Sequence, residues 1–308
     1  MDDHDVLEAI RAFVEHFAAI PDVQYAAVPW PLHSHEGIAY LLMVASINQQ
    51  ASAESIRELV RTICHSMRDD NILRYHTFPV ERRDAYLTRL HGSKTVQRLG
   101  LSRWPLWERD PVTRTYRVDR ILASAAAFIE AEASAPGGLT TYGQRSRTVE
   151  QAAARIAQSI EHMGRSRSSA RKKVWMFMRW MVRPAPDIGV WKGALNPADL
   201  RVPLDVNTGR AFQDLARRTV IGTWMKERGL AFEVDRLGQL QPTAANTETV
   251  TAIARWLYPD DPARVDYAFF SYGRRHKNEA DTCHRIVTCE ACPIRTLLAC
   301  TGRPHARR

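Results

Sequence analysis

No run of about 18 apolar residues occurs in the 308-residue chain, which excludes a helix able to cross a bilayer. The start, Met1-Asp2-Asp3-His4-Asp5, is acidic and lacks the positive charge that opens a secretory signal. A soluble protein in the cytoplasm is expected. No alternating β-run persists, no internal repeat appears, and the only biased tail is the basic end, Arg303 to Arg308. The chain therefore reads as all-α, with a length that suits one large or two medium domains.

Acidic charge is also in deficit. Forty-three Lys and Arg against 34 Asp and Glu leave a net charge of +9. The excess includes many arginines, which contact phosphate bidentately, so nucleic acid is a favoured partner. The same charge also reads as a surface kept for solubility, because net charge governs association and not fold.

Apolar positions recur at three and four along Val6–Ala19, and helical patterning returns over 55–67, 85–99, 118–133, 148–162, 206–218 and 247–257. Pro21, Pro29-Trp30-Pro31, Asp110-Pro111, Ala135-Pro136-Gly137-Gly138 and Pro259-Asp260-Asp261-Pro262 punctuate these segments. The apolar stretch 37–46 runs into the polar Ile47-Asn48-Gln49-Gln50-Ala51-Ser52, as two helices meeting at a turn would. The segment Val265–Gly273 is aromatic and apolar.

The chain is organised around Arg171-Lys172-Lys173-Val174-Trp175-Met176-Phe177-Met178-Arg179-Trp180-Met181 and the later segment Val202–Arg210. The first places a basic doublet where an apolar helical stripe begins, and the second places Asp205 just before a new helical run. Lysine and aspartate at two helix starts can share one pocket. Each residue also has a plainer reading: Asp205 as an N-cap, and Arg171, Lys172 and Lys173 as phosphate grips.

Four of the five cysteines fall within 18 residues, as Cys283, Cys289, Cys292 and Cys300. Four thiolates on a short segment can be held by zinc or by a [4Fe-4S] cluster, and the spacing does not choose between them. Cys64 lies on an apolar helix face and reads as a small buried hydrophobe.

Leu204–Arg210 resembles the catalytic aspartate motif of the helix-hairpin-helix DNA glycosylases, the endonuclease III superfamily, in which an arginine likewise follows the aspartate by five positions. The turn Ile47–Ser52 is similar to the family segment whose glutamine fills the gap left by a flipped base, and the C-terminal cysteines resemble the family's [4Fe-4S] loop. The 32-residue separation of Lys173 from Asp205 is similar to that in the archaeal 8-oxoguanine glycosylase branch, whereas alignment on the hairpin favours Lys172. An uncharacterised bacterial family is also similar across Arg171–Arg210. One departure stands out: the family's glycine-rich hairpin is replaced by Met163-Gly164-Arg165-Ser166-Arg167-Ser168-Ser169, with a single glycine.

The resemblance implies two helical domains with a cleft between them, residues 1–38 with 203–308 and residues 39–202, and a C-terminal iron-sulfur loop. It implies a monomer that flips a damaged or modified base out of double-stranded DNA and cleaves its N-glycosidic bond. Asp205 would stabilise the sugar cation or orient water, and Lys172 or Lys173 would add AP-lyase chemistry through a Schiff base. Gln49, Gln50, Arg165, Arg167, Ser168, Arg171 and Arg210 would contact DNA, with Trp30, Trp175, Trp180 and Trp191 as candidates to stack on the base. Base excision repair is the expected setting, with excision of hypermodified phage bases as one alternative and a non-catalytic zinc-holding DNA-binding protein as another.

Overall fold

The computed structural model describes residues 2–67, 72–275 and 282–300; the basic end 303–308 lies outside the described residues. Among the described residues the chain is helical, with isolated β-bridges in place of strands. The helices are α1 (Asp3–Ala18), α2 (His35–Ile47), α3 (Ala53–Ser66), α4 (Val80–His91), α5 (Lys94–Arg98), α6 (Arg117–Ala133), α7 (Val149–Ser159), α8 (Lys172–Val182), α9 (Val206–Arg218), α10 (Val220–Glu227), α11 (Ala244–Leu257), α12 (Asp266–Gly273) and α13 (Cys283–Ile286). No helix is long and apolar enough to cross a membrane among the described residues.

The expected continuous helix over 85–99 is two. α4 ends at Gly92, and Ser93 starts α5 by accepting a hydrogen bond from Val96 N at 3.3 Å. A hydroxyl that caps a new helix competes with continuation of the old one. α7 ends at Ser159, short of the expected residue 162, because Ile160 is extended and His162 takes a positive φ of 58°. α10 follows α9 across Thr219 alone, whose side chain caps it.

Two compact units emerge. The first comprises Met1–Ile20, Ser166–Trp175 and Asn196–Arg308; the second comprises Pro21–Arg165 and Met176–Leu195.

The first unit is built on α1, which begins with a reciprocal capping box: Asp5 N donates to Asp2 Oδ1 at 2.8 Å and Asp2 N to Asp5 Oδ2 at 3.2 Å. Its stripe of Val6, Ile10, Phe13, Val14 and Phe17 is buried with Leu204, Phe212, Leu215, Val250, Ile253, Phe269 and Tyr272. Val287, Ile294 and Leu298 from the cysteine segment belong to the same core. Burying each such large side chain contributes about 1.5–3 kcal/mol. α12 lies against the start of α9 so closely that a Cβ on Gly273 would collide with the carbonyl of Asn207.

The second unit is centred on α2, buried on every face from Gly37 to Ile47. Charges inside it are paired. Asp119, 2% exposed, accepts from Arg83 Nε at 2.9 Å and from the Tyr75 hydroxyl at 2.8 Å. Asp22 accepts from Arg179 Nη2 at 2.8 Å and Trp180 Nε1 at 2.9 Å, and the Tyr25 hydroxyl donates to Asp187 at 2.6 Å. Such bonding is what allows buried charge in a helical core.

Candidate active site

Asp205 is the N-cap of α9, with extended backbone (φ −129°, ψ −176°). Its Oδ1 accepts from the amides of Asn207 at 2.8 Å and Thr208 at 2.9 Å, leaving Oδ2 available. Lys172 Nζ, from the first residue of α8, lies 3.2 Å from that Oδ2; the two side chains are 30% and 19% exposed. Burial alone would raise the carboxyl's pKa. The Lys172 ammonium and the two amides outweigh it and hold Asp205 below the usual carboxylate range. The site thus presents a fixed, anionic, partly exposed carboxylate.

Lys173 behaves differently from its neighbour. Successive helical residues diverge by about 100°, and while Lys172 meets Asp205, Lys173 turns inward and is only 8% exposed. Burial, reinforced by the Lys172 charge, lowers its amine to about 7. Arg171, just before the helix, has a left-handed backbone (φ 50°), and its N donates to Ser169 Oγ at 3.2 Å. Three consecutive basic residues therefore occupy three different environments.

Aromatic and cationic groups crowd the pair. The Phe270 ring of α12 has Lys172 Nζ 5.8 Å from its centroid and the Arg274 guanidinium at 5.0 Å, within cation–π range. Neither stands out in the sequence, since Phe270 lies in a segment that reads only as aromatic and apolar. The signal was the i, i+4 spacing of Phe270 and Arg274 on one helix face.

The other candidate residues are distributed as follows. Arg210 Nη1 donates to Asn207 Oδ1 at 3.2 Å, bracing the first turn of α9. Ser168 O accepts from Ala244 N at 2.9 Å, and Ser169 bridges Thr243, so the segment before Lys172 is tied to the start of α11. Arg165, Arg167 and Ser168 are exposed. Gln49 O accepts from Trp104 Nε1 at 2.6 Å, and Gln50 is exposed with a left-handed φ of 51°. Three of the four candidate stacking tryptophans are core residues: Trp175, Trp180 and Trp191 are no more than 2% exposed, as expected where apolar spacing on a helix or turn seals an interior. Only Trp30 is part-exposed, with its ring 6.1 Å from that of Tyr40.

Cys283, Cys289, Cys292 and Cys300 line one hollow, together with Tyr272, Val287, Ile294 and Arg295. Burial and the neighbouring cysteines push the Cys283 thiol up to about 12, and burial first, then Cys300 and other neighbours, raises Cys289 and Cys292. Among the described residues, the only three or more His, Cys, Asp or Glu with ligand atoms all within 4.8 Å of one another are Asp2, His4 and Asp5 at the surface. No three of the four sulfurs are all within 4.8 Å of one another. Cys64 belongs to the other unit, on α3, its thiol raised to about 12 by burial.

The chain belongs to the family described as protein of unknown function (DUF2400), whose profile matches residues 114–275, slightly more than half of the sequence. The matched span takes in Lys172, Lys173, Asp205, Phe270 and Arg274 and ends before Cys283. No curated protein and no solved structure matches the chain.

Proposed function

We propose that this protein is a helix-hairpin-helix-type DNA glycosylase that cleaves the N-glycosidic bond of a damaged or modified base in double-stranded DNA. The observation that carries this reading is the Asp205–Lys172 pair: a carboxylate pinned by two amides, kept ionised, with an amine at 3.2 Å on its remaining oxygen. Departure of the base builds positive charge on the deoxyribose. A preorganised anion beside the anomeric carbon stabilises that charge without reorganising.

Lys172 is the amine suited to attack the sugar, because reach precedes basicity in selecting a nucleophile. It lies on Asp205 and is part-exposed, whereas Lys173 is enclosed. The Lys172 ammonium would pass one proton to the departing base, and the amine so freed would form a bond to C1′ as the C1′–N bond breaks. Ring opening then gives a Schiff base, from which β-elimination of the 3′ phosphate yields the lyase product. Arg165, Arg167, Ser168 and Arg171 would hold the backbone phosphates by side chains in place of the glycine-rich hairpin, and Gln49 and Gln50 would face the gap left by the flipped base.

Cys283, Cys289, Cys292 and Cys300 would hold a [4Fe-4S] cluster. The four cysteines line one hollow, and the cluster would serve there as a structural clip.

The test is incubation of wild type and Asp205→Asn with duplexes carrying a panel of modified bases, followed by heating in alkali to reveal abasic sites. Wild type releases at least one base, and Asp205→Asn lowers that rate on the order of 10²–10³-fold. Borohydride traps the wild type and Lys173→Ala on DNA but not Lys172→Ala. Undiminished excision by Asp205→Asn defeats the reading.

A further inference from the structure

Lys172 has a second partner besides Asp205. Its Nζ lies over the ring of Phe270, 5.8 Å from the centroid, and that ring is a part-exposed side chain of α12. Arg274, one turn further along the same helix and 4% exposed, packs its guanidinium 5.0 Å from the same centroid. A guanidinium stacked on the ring limits how far the ring can turn.

The helix that carries the ring is fastened to the helix that Asp205 caps. Phe269 meets Phe212 of α9 edge-on, with centroids 4.9 Å apart and planes at 90°. The Tyr272 hydroxyl and Arg275 Nη2 both donate to Asp214 Oδ2, at 3.1 and 3.0 Å. Phe212 and Asp214 belong to α9, so ring and carboxylate stand on one braced pair of helices. Lys172 arrives from α8 and meets both.

The two contacts are not equivalent. A π face attracts an ammonium through its quadrupole and has no such attraction for a neutral amine. The carboxylate attracts the ammonium too, but during base release it must also face the cation that develops on the sugar. The ring has no such second duty. The other charges beside Lys172 are of its own sign: Arg171 and Lys173 next to it in the chain, and Arg274 on the shared ring. Like charges favour loss of a proton, so the groups that oppose the loss decide when it happens.

Resting on the glycosylase reading, we propose that Phe270 is a positioning residue for Lys172: its face holds the ammonium at Asp205, so that a proton reaches the departing base before the nitrogen is free to attack C1′. Phe270 itself exchanges no proton and touches no reacting atom. It acts through the lysine.

The test uses the full-length protein and a duplex carrying a natural abasic site made by removal of uracil, so that it does not depend on which base is excised. The Lys172 nitrogen bonds C1′ of the open-chain aldehyde, the carbonyl oxygen leaves as water with two nitrogen protons, and cyanoborohydride reduces the protonated C1′–N double bond. Only the neutral amine attacks, so the trapping rate rises with pH to a plateau. Phe270→trifluorophenylalanine keeps the shape of the ring and removes its negative face. The midpoint of the rise then moves to lower pH by about half a unit, and by less with monofluorophenylalanine. Phe270→Leu moves it as far, and Phe270→Tyr leaves it in place. Phe269→trifluorophenylalanine, on the ring that packs against Phe212 instead, also leaves it in place. An unmoved midpoint across the Phe270 series, with trapping lost in Lys172→Ala, overturns this inference alone, whether or not the rate falls uniformly at every pH. Trapping by wild type no greater than by Lys172→Ala also overturns it, and overturns the glycosylase reading as well when no modified duplex loses a base.

Discussion

Gly273, at the end of α12, lies directly against the carbonyl of Asn207 in the first turn of α9, with no space for a methyl group between them. The contact fixes where α9 begins, and therefore where Asp205 is held, two residues before that carbonyl. Position 273 controls the carboxylate without touching it.

Gly273→Ala is expected to push the start of α9 away from α12. Overpacking of this kind costs about 1–3 kcal/mol, and a displaced cap carries Asp205 with it. Urea unfolding should show the stability loss, and single-turnover excision should slow by more than the fraction of unfolded protein explains. Wild-type stability and rate in this variant would show that the two helices separate freely.

Lys173 makes stability depend on alkaline pH. Its amine sits at about 7 in the folded protein against 10.5 for an ordinary lysine. Between those values the folded state binds fewer protons than the unfolded chain, so stability rises with pH across the window by up to about 1.4 kcal/mol per unit. The gain is lost as pH falls from the unfolded value toward the folded one, and below about 7 the full cost of a buried ammonium remains. Lys173→Met should flatten the slope and raise stability at about pH 7 by roughly 2–4 kcal/mol. Urea midpoints at about pH 7 and about pH 10 check it; parallel slopes in the two proteins would refute a buried titrating amine.

Much of the scaffold was legible in the sequence, for identifiable reasons. α1 was marked by the apolar recurrence of Val6, Ile10, Phe13, Val14 and Phe17, and α6 and α9 by similar stripes. Asp205 before an apolar run read as a cap, and it is one. What stayed hidden depends on contacts distant in sequence. Phe270 meets Lys172 across about a hundred residues, and Arg274 stacks on the same ring. The turn at 233–241 is held by Asn246, Gln213 and Arg217, none of which carries a local turn signal for it. The tryptophans of α8 show the limit of periodicity, which ranks Trp175 and Trp180 as apolar without deciding between core and binding face.

The cysteine hollow predicts a coupling between metal and fold. Val287, Ile294 and Leu298, interleaved with the cysteines, are part of the first unit's core, so whatever fixes the sulfurs also fixes that wall. Protein prepared anaerobically should be brown and contain iron and sulfide. Cys292→Ser, or iron chelation, should bleach it and lower Tm on the order of 5–10 °C. Colourless protein with stoichiometric zinc and full stability would refute the cluster.

Gln50 separates stability from function. Its left-handed φ of 51°, at the exposed turn between α2 and α3, costs a side chain that glycine would not incur. The turn is held from behind by the Trp104 indole on Gln49 O. Gln50→Gly should therefore leave the fold intact and change stability by between zero and about 1 kcal/mol in its favour, the relieved strain being partly offset by the freer unfolded chain. If the glutamine fills the gap beside a flipped base, the same variant should bind a tetrahydrofuran-containing duplex more weakly while binding unmodified duplex as before. Retained preference for the abasic duplex would leave the strained turn without a role in base flipping. Backbone strain at an exposed residue persists only where something maintains it; here the selectivity of binding, measured against the gain in stability, decides whether DNA recognition is what does so.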